Sequence, residues 1–224
     1  MNNEQLLELY RQHESTIYDI GSRCSEHMEG PFLIAPNEAY WNSALKVAFV
    51  GQETHGWSSE CEISAQMAVY STFNLGVAYY SSPFWNVIRK LEHVLTASNY
   101  SSAWLNLHRY DQGGRRPSWK NQRILLELDF LVYEELKLLV PDVVIFLTGP
   151  NFDNRITSML QASYRPIDGF PLRQLSEVQS PVLSNVMFRT YHPNYLRRSG
   201  LEASIVKAIH DAVAQRVQQK HTEV

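Results

Sequence analysis

The stretch "DVVIFLTG", residues 142–149, is the segment on which the fold turns. Val143, Val144, Ile145, Phe146 and Leu147 are apolar without a break, and a run this short and β-branched reads as a strand rather than a core helix. A strand with no polar alternation has both faces buried, which points to a parallel sheet covered by helices on each side. The flanks agree. "NQRILLELDFLVYEELKLL", 121–139, places Ile124, Leu128, Leu131, Val132 and Leu139 on one stripe, as an amphipathic helix does, and Pro141 closes it. Gly149 and Pro150 predict the start of another helix.

Working outward, three more runs read as strands: "LKVAFV" (45–50), "SAWLNL" (102–107) and "NVMFRTYHP" (185–193). Helical spacing joins Leu6, Tyr10, Ile17, Ile20, Cys24 and Met28 in a first segment that stops at Gly30 and Pro31. It recurs in "SPFWNVIRKLEHVL" (82–95) and in "LEASIVKAIHDAVAQRV" (201–217). Phe84 and Trp85 read as core residues. Strands alternating with long helices predict an α/β fold, a three-layer α/β/α sandwich with a central four-stranded parallel sheet, in a single domain over 1–224. Open sheets of this kind put their ligand site at the carboxyl ends of the strands. That rule gathers Gln52 to His55, Asn106 to Arg109, Thr148 to Pro150 and His192 to Leu196 at one rim.

Composition narrows the function classes. At 44% hydrophobic content, 224 residues bury one sizeable core. Twenty basic against 23 acidic residues give −3, which excludes a chain that is basic all over but not a local basic groove. Cys24 and Cys61 are the two cysteines and form no C-x-x-C pair, so a disulfide framework is excluded and a reducing cytoplasm is expected. No leader or membrane-spanning run is legible, and a monomer is expected. Phosphate-cradling glycine motifs are absent. His55, His108 and His192 could meet at one place, yet no metal-ligand spacing links them, so neither metal nor cofactor is expected.

At the predicted rim a carboxylate (Glu53), an amide (Asn106) and an imidazole (His192) converge beside a basic strip of Arg109, Arg115, Arg116, Lys120 and Arg123, with Arg197 and Arg198 opposite. Four stretches in order, "VGQETH", "SPFWNVIRKL", "AWLNLHRYDQGGRRP" and "TYHPNYLRRSG", together resemble the uracil-DNA glycosylase superfamily over most of the chain. The resemblance implies a monofunctional DNA glycosylase that hydrolyses the bond between deoxyribose and uracil or another modified base. Its partner is DNA, single- or double-stranded. It further implies that Glu53 handles the water and steadies positive charge on the sugar, while His192 donates to the departing base. Asn106 reads the base edge, Gln52 lines the base site, and one aromatic among Phe73, Tyr79, Tyr80 and Phe84 stacks on the flipped ring, Phe73 first by spacing and Tyr80 second. Arg109, Arg115, Arg116, Asn194, Arg197 and Arg198 would hold DNA, with Leu196 as the wedge that fills the vacated space.

The chain departs from the family pattern at three places. Thr54 stands where the first motif has Pro, Gln52 and Glu53 are adjacent, and Asn194 replaces the Ser after His-Pro. Plainer readings compete: Asn106 as a backbone cap, His192-Pro193 as a turn, and the arginines as a solvated face. A catalytically inactive DNA-binding module of the same fold, or a hydrolase of free nucleosides, is therefore carried as an alternative.

Overall fold

The chain is described by a computed structural model covering residues 3–79, 81–96 and 98–222, with side chains described to Arg216. Its elements run α1 (Asn3–Gln12), α2 (Glu14–Arg23), α3 (Glu38–Trp41), β1 (Val47–Gly51), α4 (Ile63–Phe73), α5 (Pro83–Thr96) and β2 (Ala103–Asn106). They continue as α6 (Trp119–Leu125), α7 (Asp129–Leu139), β3 (Val143–Phe146), α8 (Asp153–Leu160), β4 (Ser163–Pro166), β5 (Leu175–Gln179), β6 (Val186–Thr190), α9 (Pro193–Arg198) and α10 (Glu202–Thr222).

The sheet has six strands in the order β2-β1-β3-β6-β5-β4. The four apolar runs form its parallel part, with Gly51 beside Asn106, Val50 beside Phe146 and Phe146 beside Arg189. The expectation of four strands is corrected by β4 and β5, which extend the sheet antiparallel from β6. Their sequences hide them: β4 lies at the edge and is largely exposed, so it has no apolar run to betray it. The architecture is a mixed α/β one, a mostly parallel sheet flanked by helices. Helix α5 packs on β1, α9 and α10, and α10 also meets β6; α7 packs on α1 and α8.

Local chemistry explains several boundaries. Helix α5 opens on Pro83 and buries Val87, Ile88 and Leu91 along one stripe. Helix α7 stops where Val140 takes a left-handed conformation (φ 45°) just before Pro141. The predicted helix over 121–139 is divided: a tighter turn at Leu126–Leu128 separates α6 from α7. Likewise the first helical segment is broken at His13 into α1 and α2. Leu6, Tyr10, Ile17 and Ile20 are nevertheless buried as their spacing predicts. No helix among the described residues is long and apolar enough to cross a membrane.

A polar knot ties the N-terminal helices to the centre. Arg109 and Glu135 are fully buried and paired at 2.5 Å. Tyr10 donates to the second Glu135 oxygen at 2.5 Å and accepts from the Ile34 amide at 3.1 Å, while Arg109 Nη1 donates to the Phe32 carbonyl at 3.2 Å. Arg109 therefore does not face DNA, and the expectation that it binds phosphate is corrected. Having no access to solvent, its charge is neutralised inside the protein.

Candidate active site

Strand β1 ends in Gly51, and the reason for a glycine there is steric. A Cβ at this position would overlap Asn106 Oδ1 and would lie 3.3 Å from both Phe84 Cζ and Trp104 Nε1. The absence of a side chain thus leaves the Asn106 amide lying across the end of β1. Asn106 is fully buried, and neither its Oδ1 nor its Nδ2 has a hydrogen-bond partner. Leaving a buried donor and acceptor unmade costs about 1–3 kcal/mol each. The Asn106 edge offers one acceptor and one donor side by side.

Phe84, at the start of α5, approaches the same spot. Its ring lies 5.5 Å from the His192 ring and is inclined to it by 31°. This aromatic packs against the core, with its ring 5.0 Å from that of Trp85, as its reading as a core residue expects, and its half-buried ring also reaches the end of β1. Phe73, the first candidate for stacking, instead joins a cluster with Trp57, Tyr79, Trp85 and Trp104, at centroid distances of 5.3–5.7 Å. Tyr80 lies outside the described residues.

His192 caps α9. Its Nδ1 accepts the Asn194 amide at 3.2 Å, which leaves the proton of the neutral ring on Nε2. Burial, then the Arg116 and Arg198 charges, lower its pKa to about 4. At neutral pH the ring is therefore an uncharged Nε2–H donor.

Gln52 and Glu53 leave the end of β1 under the control of Arg116. Gln52 Nε2 donates to the Thr148 carbonyl at 2.6 Å, and Gln52 Oε1 accepts from Arg116. The Gln52 side chain is thus spent on joining the ends of β1 and β3. Arg116 Nε lies 3.3 Å from each Glu53 carboxylate oxygen, and its guanidinium sits 5.2 Å above the Phe152 ring. Burial raises the Glu53 pKa, and Arg116 pulls it back. His108 is buried against Arg155, whose Nη1 is 2.9 and 3.1 Å from the two ring nitrogens. Burial and that charge hold its pKa well below the ordinary histidine value.

The residue that the sequence reading missed is Asp111. One carboxylate oxygen accepts from Thr54 Oγ1 at 2.5 Å and from the Gly56 and Trp57 amides at 3.1 and 3.0 Å. The other accepts the Gly114 amide at 2.7 Å, and Glu29 pairs with Asp111 through both backbones at 2.9 and 3.0 Å. Asp111 thereby clamps the loop carrying Glu53 to the loop carrying Arg116. Thr54 supplies a hydroxyl to that clamp. An Asp three residues before a glycine pair member is a turn signal, and Asp111-Gln112-Gly113-Gly114 carries it. His55 is exposed and contacts the Gly114 carbonyl.

The remaining DNA candidates divide. Asn194, Arg197 and Arg198 are exposed and line one shallow cleft with Pro83; Arg197 also lies 3.5 Å from Glu202. Arg115 is exposed. Leu196 is fully buried, so its expected role as a wedge is corrected: helix α9 starts at Pro193, and its phase turns Leu196 inward and Tyr195 outward. Tyr195 is 43% exposed, and its ring lies 4.2 Å from that of Tyr191, tilted by 37°. Among the described residues no three His, Cys, Asp or Glu side chains are grouped to hold a metal ion.

The site is thus built from the carboxyl ends of β1, β2 and β6 together with the first turn of α5. Asn106 and Phe84 meet at Gly51, and His192 lies against Phe84, while Glu53, two residues beyond Gly51, is held by Arg116, with Asp111 tying the loops. Compared with known proteins, the chain matches no family model and no curated sequence.

Proposed function

We propose that this chain is a monofunctional DNA glycosylase, resembling the uracil-DNA glycosylase superfamily in a three-layer α/β/α frame. The observation that carries the reading is the buried Asn106 amide, unpartnered on both atoms, beside a glycine and an aromatic ring. A flat base edge with one acceptor and one donor complements that amide, and a base would reach it only when flipped out of its strand. Phe84 offers the stacking surface. His192 Nε2–H points to a hydrogen bond with a base oxygen, where negative charge grows as the glycosidic bond breaks.

In the proposed reaction the C1′–N bond breaks and water supplies the new C1′–O bond. Glu53 accepts one proton of that water and faces the positive charge developing on the sugar. The base departs with the bonding electron pair, steadied by neutral His192. Arg115, Asn194, Arg197 and Arg198 grip the strand by its phosphates, and Tyr195 takes the filling role that Leu196 cannot. Arg116 would release Glu53 when a phosphate competes for its guanidinium.

The test is incubation of the protein with single- and double-stranded oligonucleotides carrying uracil or other altered bases, followed by alkaline cleavage of abasic sites. Strand breaks that vanish in Glu53→Gln and Asn106→Ala support the reading, and their absence on every substrate at micromolar protein refutes it. The Arg116–Glu53 contact favours a second reading, a DNA-binding module without chemistry, because a carboxylate held by a guanidinium is a weaker base. That reading expects salt-dependent DNA affinity that survives Glu53→Gln, with no product.

A further inference from the structure

Beside the candidate site, a cleft of about 910 Å³ opens between α6, α7 and α8. It shares His108 and Arg116 with the site and is lined chiefly by rings and apolar stems, among them Trp119, Phe130, Tyr133 and Phe152. Its volume lies within the range of clefts that hold small organic groups. Two side chains at its mouth are conspicuous in chemistry. Trp119 is 72% exposed, an unusual position for an indole with nothing packed over it. Arg123, four residues on and hence on the same face of α6, makes no ion pair or hydrogen bond among the described residues. Arg155, by contrast, is neutralised by Asp129 at 2.5 Å. The cleft therefore presents a bare aromatic plane and one uncommitted positive charge, and Arg116 stands between it and Glu53.

We infer that this cleft is a second nucleotide subsite, which receives an unpaired nucleotide flanking the extruded one. The base would stack on Trp119 and the phosphate would sit against Arg123. This inference rests on the glycosylase reading for its neighbour, but its chemistry is its own. A planar base and a phosphate on one short tether match an exposed indole and a free guanidinium on one helix turn. Within a duplex the flanking base is stacked and paired, so occupation of the cleft requires a locally single strand. The subsite thus narrows the substrate class to single-stranded or opened DNA.

The experiment measures binding of fluorescein-labelled oligodeoxynucleotides bearing an abasic-site analogue, as single strands and as duplexes, to the wild type, Trp119→Ala and Arg123→Gln. Trp119→Ala is expected to weaken single-strand binding about 10-fold, within the span of stacking one base on an aromatic ring, with a change under about 2-fold for the duplex. Arg123→Gln is expected to lower the salt dependence by about one phosphate contact. Unaltered melting temperatures show that the variants fold. Equal affinity of Trp119→Ala and wild type for single strands overturns the subsite, as does the absence of any oligonucleotide binding by the wild type. Excision is scored separately: loss of single-strand affinity in Trp119→Ala without excision by the wild type upholds the subsite and removes the glycosylase chemistry.

Discussion

Replacing Arg109 by Met separates a structural arginine from a DNA-contacting one. In the folded protein both Arg109 and Glu135 are fully buried, and Glu135 has two partners, Arg109 at 2.5 Å and Tyr10 at 2.5 Å. Arg109→Met leaves the carboxylate with the Tyr10 hydroxyl alone, in a place water does not reach. Removing one member of a buried pair costs about 3–5 kcal/mol, because the charge left behind is uncompensated. At about 2–4 °C per kcal/mol for a chain of this size, the melting temperature should fall by roughly 6–20 °C. Pairing Arg109→Met with Glu135→Gln removes the stranded charge while keeping an oxygen for Tyr10, and should recover roughly half of that loss. Thermal and urea denaturation followed by circular dichroism read both numbers. An Arg109→Met protein that melts within about 2 °C of the wild type would refute the buried-pair argument. If the same variant also lost salt-dependent DNA affinity, Arg109 would be a surface residue after all.

Three further outcomes follow from the site. Gly51→Ala should abolish base recognition while costing only about 1–3 kcal/mol of stability, since the new methyl displaces the Asn106 amide; unchanged excision in this variant would refute the steric argument. His192, with its pKa lowered to about 4 in the folded state, binds fewer protons than in the unfolded chain between about pH 4 and 6.5, so stability should rise with pH across that window and be lost as pH falls through it. The difference in urea midpoint between wild type and His192→Asn, followed from pH 7 to pH 4, checks the sign: the wild type should lose more. Asp111→Ala frees the Thr54 hydroxyl and the Gly56 and Trp57 amides and leaves the Gly114 amide to Glu29 alone, so the loops carrying Glu53 and Arg116 should gain amide hydrogen exchange while the sheet keeps its protection.

The parallel half of the sheet is legible because each of its strands is a short, uninterrupted apolar run, and a run buried on both faces has no other stable home. Strands β4 and β5 are not legible for the opposite reason. Ser163–Pro166 is polar and edge-lying, and its pairing with β5 depends on β6 already being in place. The site splits in the same way. Asn106 ends β2, and Glu53 and His192 each follow a strand by two residues, so the rule that parallel strands deliver their ends to one rim is what leads to these three positions. That Phe84 rather than Phe73 reaches Gly51 and His192 cannot be read from spacing, because it depends on how α5 packs against β1 and α9.

By itself, then, the sequence determined the parallel α/β core and which strand ends would share a rim, since hydrophobic periodicity and chain direction are local properties. Tertiary structure decided the fate of individual side chains at that rim. It paired Arg109 with Glu135 from a helix 26 residues away and turned Leu196 inward and Tyr195 out. It also left the Asn106 amide unpartnered beside Gly51. Each of these depends on which groups from distant segments meet and whether water reaches them, and burial, unlike periodicity, is a property of the assembled molecule.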